Sequence, residues 1–171
     1  LAATKYFAAR SASMEFVGQR TFAEALAMAE SGEVGYAFLP IENTTAGSIN
    51  QTYDLLRQTN LRIVGEEILH VRHCLLGVEG AKAATLRRVL SHPQALTQCS
   101  RYLAGLGEVE LVAFEDTAAS AREVAAAGVA TQGAIASLEA AETYGLRVLE
   151  EGIADQEENW TRFVVISGLE I

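Results

Sequence analysis

Strand-like and helix-like segments alternate along almost the whole chain, and this alternation restricts the fold more than any other feature of the sequence. Thr21-Phe22-Ala23-Glu24 matches a capping box, Phe22, Leu26 and Ala29 fall near one helical face, and Gly32 supplies a stop. Val34 to Leu39 reads as an apolar strand closed by Pro40, and Ile49, Tyr53 and Leu56 restart a helical period. Leu61 to Leu76 alternates apolar and polar residues for much of its length, which predicts one long extended segment. Then come strand Arg88–Leu90, helix Pro93–Leu106, strand Val109–Phe114, helix Thr117–Ala127, a short strand near Val129–Thr131, helix Gly133–Tyr144 and strand Leu146–Leu149. A loop, Ala154 to Asn159, leads into a final strand. Such a pattern predicts an α/β fold with a mainly parallel sheet and helices on its faces.

The 171 residues fit one large domain or two small lobes. Half are hydrophobic and 20% are charged, which is the composition of a folded globular chain. No apolar run approaches the ~18 residues of a membrane span, and the first ten residues lack the apolar core of a secretory signal. The chain begins without Met and is expected to be a piece of something longer. Twenty-two acidic against thirteen basic residues give a net charge of −9. That balance argues against nucleic acid and anionic membranes as partners. It also means that local donors must overcome the global field if the ligand is an anion. Cys74 and Cys99 lack CxxC spacing and suggest a reducing compartment, so a cytoplasmic location is expected. His70, His73 and His92 form no ligand pattern with them, and no metal is expected. His73 and Cys74 lie in an apolar strand and read as core. Gly-x-Gly-x-x-Gly, Walker and Gly-x-Ser-x-Gly motifs are missing, so neither a nucleotide cofactor nor a serine nucleophile is expected. Asn-x-Thr triplets at Asn43, Asn50 and Asn159 have no meaning as glycosylation sites in a cytoplasmic protein.

Ligands in α/β folds sit at the C-terminal ends of strands, beside helix starts. Three loops hold polar residues of that kind. Glu42 and Asn43 follow the Val34–Leu39 strand, and either touch a ligand or build a turn after Pro40. Ser91-His92-Pro93-Gln94 fits an S-x-x-Q capping box, so Gln94 either caps the helix or aims its amide at an anion. Thr117 either caps its helix or offers its hydroxyl, and the alanines after it, from Ala118, permit close approach. Near the C-terminus, Thr161 and Arg162 interrupt an otherwise buried strand. A neutral hydroxyl and a cationic fork suit a small carboxylate that loses an oxygen leaving group. The competing reading is an Arg snorkelling from a strand end beside a Thr of high β-propensity.

Together these segments resemble prephenate dehydratase. The resemblance rests on the Pro40–Asn50 stretch, on His73-Cys74-Leu75-Leu76, and on Ser91-His92-Pro93-Gln94-Ala95-Leu96 with Gln98-Cys99. Tyr144–Leu149 and Asn159-Trp160-Thr161-Arg162-Phe163 complete it, so nearly the whole chain is covered in family order. The variant motifs look most like the dehydratase domain of proteobacterial enzymes fused to chorismate mutase.

The resemblance implies a two-lobed fold like type II periplasmic binding proteins, with residues 1–74 and 160–171 in one lobe, 75–159 in the other, and catalysis in the cleft. It implies conversion of prephenate to phenylpyruvate with loss of CO2 and water, in phenylalanine biosynthesis, without a cofactor. Thr161 would assist departure of the hydroxyl, and Arg162 would fork a carboxylate or lock the lobes. Glu42, Asn43 and Gln94 would orient the substrate, with Thr44, Ser48, His92, Thr117, Ala118 and Phe163 contacting it. A homodimer is expected. The family's opening strand with its Gly-Pro-x-Gly-Thr loop, and its C-terminal ACT domain, lie outside the residues matched. Two rivals stand beside this reading: an arogenate dehydratase, and a non-catalytic two-lobed module that binds a small anion.

Overall fold

The computed structural model describes residues 2–8 and 14–168. They form two compact units, Leu1–His70 with Glu158–Ile171, and Val71–Glu157.

The first unit is a four-stranded sheet in the order β2-β1-β9-β3 with helices on both faces. Its strands are β1 (Ala37–Asn43), β2 (Gly47–Ser48), β3 (Arg62–His70) and β9 (Trp160–Ser167), and its helices are α1 (Ala2–Ala8), α2 (Phe22–Ser31) and α3 (Asn50–Gln58). One core gathers Leu26, Leu39, Ile41, Val164 and Ile166 around α2. On the other face Tyr6 and Phe7 of α1 cover Val165 beside Phe38. The expected capping box starts α2: Thr21 Oγ1 accepts from Glu24 N at 3.1 Å while the Glu24 carboxylate accepts from Thr21 N. Gly32 ends the helix in the left-handed region, φ 78°.

Strand β1 runs through Pro40 instead of stopping there. A bulge falls between Pro40 and Glu42, so Ile41 has no partner opposite it on β9. Two adjacent carbonyls, of Pro40 and Ile41, are taken by Thr52 Oγ1 at 2.6 Å and by Ile49 N at 2.9 Å. Both partners belong to the α3 entry and not to β9. Both carbonyls thus find partners off β9, and the strand carries on to Asn43.

The second unit is a five-stranded sheet in the order β6-β5-β7-β4-β8. It comprises β4 (Cys74–Gly77), β5 (Arg88–Ser91), β6 (Glu110–Ala113), β7 (Gln132–Ala136) and β8 (Arg147–Glu151), with α4 (Pro93–Gln98), α5 (Ser100–Gly105), α6 (Thr117–Ala127) and α7 (Leu138–Tyr144). The long segment read over Leu61–Leu76 is two strands, β3 and β4, broken at Val71–His73, where the chain enters the second unit. The single helix read over Pro93–Leu106 breaks at Cys99, whose φ of −113° leaves the helical range. The largest departure is β7. Gly133-Ala134-Ile135-Ala136 read as the start of a helix, yet it is a strand with all four residues buried, and Ser137 caps the helix that follows. A strand between two others, covered on both faces, favours small residues: a Cβ on Gly133 would come within 3.1 Å of the Leu76 carbonyl oxygen.

The α/β layering is as expected, but among the described residues only β5–β6 and β5–β7 pair in parallel, and the other five pairings are antiparallel. The crossover rule itself holds. Strands joined through a helix (β1 and β3, β5 and β6, β6 and β7, β7 and β8) all point the same way. The antiparallel contacts arise mostly because two further strands are inserted, β9 between β1 and β3 and β4 between β7 and β8.

Cys74 and Cys99 are free and buried, and desolvation pushes the Cys99 thiol up to about 12. His73 is buried with Nε2 2.8 Å from Gln98 Oε1. Burial pulls its pKa down and outweighs the raising effect of that hydrogen bond. Below the ordinary histidine pKa of about 6.5, the unfolded chain therefore takes up a proton that the folded chain refuses. Stability should fall as pH drops below that value. The denaturant midpoint of the wild type should decline between pH 7.5 and 5.5, and His73→Gln should flatten that decline. Thr52→Val should lower stability by about 1–2 kcal/mol, because it strips the Pro40 carbonyl of its partner; urea titration measures this.

Candidate active site

At the C-terminal end of β1, Asn43 lies directly opposite Thr161 of β9. Its side chain is buried, with 8% of the residue exposed. The carboxamide oxygen accepts from Thr45 N at 3.1 Å, the Thr45 hydroxyl at 2.7 Å and Ala46 N at 2.9 Å. Three donors around one atom identify it as the oxygen, so the NH2 faces the other way. There it meets Asn159 Oδ1 at 2.8 Å, Thr161 Oγ1 at 2.9 Å and the Trp160 carbonyl at 3.2 Å. The Thr161 hydroxyl thus accepts from Asn43, and its own proton remains to be donated.

Thr44 is committed differently. Its hydroxyl donates to the Glu158 carbonyl at 3.0 Å and accepts from Trp160 N at 2.9 Å. Its own N–H donates to the Trp160 carbonyl at 2.9 Å. Thr44 therefore ties residues 158–160 to the end of β1. Ser48 and Glu42 are exposed and pair across β2 and β1.

Arg162 stands next to Thr161 in sequence but not in space. Neighbours on a strand point to opposite faces, and β9 carries no bulge of its own. The Thr161 face continues to Phe163, whose ring stacks on Phe38 with centroids 5.3 Å apart. The Arg162 face lies opposite Glu42, and the guanidinium reaches Glu66 through Nε at 2.8 Å and through Nη2. Glu66, with a smaller contribution from Glu42, makes the guanidinium harder still to deprotonate. Thr161, expected at the departing hydroxyl, and Arg162, expected at a carboxylate or an acidic partner, thus leave the strand on opposite faces, and the Phe163 ring packs on Phe38.

The second unit holds the remaining candidates. His92 and not Ser91 caps α4, through Nδ1 to Gln94 N at 3.2 Å. Ser91 is buried and donates to the Ile135 carbonyl at 2.7 Å. No capping box forms, so the Gln94 amide is exposed and released from that duty. Likewise Asp116, through Oδ1 to Ala119 N at 2.7 Å, caps α6 in place of Thr117. Thr117 is half-buried at the first helical position with its hydroxyl uncommitted among the described residues, and Ala118 is exposed beside it.

Asn159 and Glu66 escaped the sequence reading. Asn159 had a signal: it precedes Thr161 by two residues, the spacing that puts two side chains on one face of an extended segment. Glu66 had none, because its partner is 96 positions away. The first unit also contains a groove of about 400 Å³, lined by apolar residues such as Phe7, Phe16, Phe22, Met28 and Phe38. None of the candidate residues lines it.

A family model described as prephenate dehydratase matches residues 1–170. Arogenate dehydratase 2 of Petunia hybrida is 47% identical over 153 residues, covering 90% of this chain and 39% of that protein. The bifunctional chorismate mutase/prephenate dehydratase of Escherichia coli (strain K12) is 40% identical over 167 residues, covering 98% of this chain and 43% of that protein. Among solved structures, the prephenate dehydratase from Arthrobacter aurescens in complex with L-Phe aligns with a TM-score of 0.84 at 26% identity. That alignment covers 99% of this chain and 56% of the other. The chain spans less than half the length of these two curated relatives. With a match that omits only its last residue, the chain belongs to the prephenate dehydratase family.

Proposed function

We propose that this chain is the catalytic part of a lyase that converts prephenate to phenylpyruvate, releasing CO2 and hydroxide. The C–O bond to the ring hydroxyl breaks as the ring carboxylate leaves as CO2, and the electron pair of the C–C bond completes the aromatic ring. Aromaticity supplies the driving force. The protein is left to hold the dianion and to stabilise charge growing on the departing oxygen.

The observation that carries this reading is the Asn43–Thr161 hydrogen bond. With its oxygen already accepting, Thr161 directs its proton outward and serves as a neutral donor to the leaving oxygen. A threonine hydroxyl is too weak an acid to be a free proton source near neutral pH. Its contribution is instead a hydrogen bond that strengthens as the oxygen gains charge. Arg162 already has Glu66 as counter-ion, so neutral donors suit a dianion in a chain of net charge −9. We assign the Gln94 amide and the Thr117 hydroxyl, both uncommitted, to substrate contact, and give the same role to His92 and Ala118 beside them in sequence and to Glu42 and Ser48 of the first unit. Thr44 and Phe163 support the site from within the fold. The bifunctional relatives suggest a mutase on the same polypeptide, and we expect a cytoplasmic homodimer, which light scattering and fractionation check.

Arogenate, with an amino group in place of the keto group, is the second reading, favoured by the 47% identity to a plant arogenate dehydratase. Incubation with each substrate separates them: phenylpyruvate absorbance reports prephenate turnover and phenylalanine release reports arogenate turnover. Thr161→Val should lower kcat about a hundredfold, the value of ~3 kcal/mol for one lost transition-state donor. KM should change little. Near-normal kcat in this variant would remove Thr161 from the mechanism.

A further inference from the structure

Asn159 is polar, 1% exposed, and contributes its Oδ1 to the same carboxamide that holds Thr161. The Asn43 NH2 has two protons and three acceptors within 3.2 Å: Asn159 Oδ1, Thr161 Oγ1 and the Trp160 carbonyl. Three acceptors compete for two hydrogens. The shortest contact, to Asn159, occupies one proton and leaves the other for Thr161, with the Trp160 carbonyl the most distant of the three. On the acceptor side, the oxygen of Asn43 is pinned by N–H groups of Thr45 and Ala46, so the amide cannot turn to find other partners.

We infer that Asn159 is a positioning residue for the proposed dehydration: by taking one Asn43 proton it steers the second onto Thr161 Oγ1 and so fixes the direction in which the Thr161 hydroxyl donates. This rests on the reading of Thr161 given above. Asn159 acts through Asn43 and touches no reacting atom. Its burial has the same logic. A water at Oδ1 would satisfy that oxygen equally well, but would not hold the amide proton in one direction.

The test is a double-mutant cycle in the full-length protein. Asn159→Ala should reduce kcat at least tenfold with KM within threefold of the wild type. In a Thr161→Val background the same substitution should change kcat less than twofold, because the hydroxyl it steers is gone. An equal loss in both backgrounds would mean that Asn159 only supports the fold, and would overturn the inference. So would a kcat for Asn159→Ala within twofold of the wild type. Should Asn159→Ala fail to fold, Asn159→Asp takes its place, since it keeps an acceptor oxygen towards Asn43. It should keep kcat within fivefold of the wild type, and a loss as large as that of Thr161→Val would overturn the inference. Absence of turnover by the wild type on both prephenate and arogenate would overturn the functional reading itself, and this inference with it, before any variant is made.

Discussion

The Asn43 carboxamide has two lone pairs and two protons, and all of them are engaged inside the first unit. Its oxygen draws in the turn after β1, and its nitrogen draws in the residues that open β9. Thr44 repeats the tie from the next position along. Two segments more than a hundred residues apart are thereby sewn together at one strand end, and the hydroxyl of Thr161 is carried into place by the same stitch. A buried amide with any of these partners missing would be costly, so the network has little room to rearrange.

The insertion of β9 explains why a chain with α/β alternation yields mostly antiparallel contacts. Helical crossovers still join strands of one direction, but the strand that returns from the second unit enters between β1 and β3 from the opposite end. β4 does the same between β7 and β8. The pairing sets the two ends of the site: β1 finishes where β9 starts, so Asn43 and Thr161 meet.

Local chemistry was legible in the residues, and distant chemistry was not. The α2 capping box and the Gly32 stop depend only on neighbours along the chain, and both form as read. Helix α6 spans Thr117–Ala127 as expected because its Ala-rich period has no competitor. The β7 strand was missed because Gly and Ala carry no β-propensity; only the sheet around them demands their small size. Pro40 looked like a strand end because no local pattern announces the bulge that follows it or the Thr52 hydroxyl that takes its carbonyl. Gln94 and Thr117 were correctly placed at helix starts, yet the capping groups are His92 and Asp116. Thr161 and Arg162 are adjacent in sequence, and the two-residue repeat of a strand sends their side chains to opposite faces, where Asn43 and Glu66 meet them.

The order of synthesis adds one more consequence. Residues 71–157 are continuous in the chain and complete their own sheet from local material. The first sheet, by contrast, has a gap until residues 160–167 emerge to fill it, since β1 and β3 touch only through β9. Closing a loop of that length is slow relative to local contacts. On the ribosome the inserted module would therefore mature first, and the nascent β1 and β3 would wait with bare edges that invite chaperones or misassembly. The step that ends this exposure also delivers Thr161, so that no partly made chain carries a finished donor.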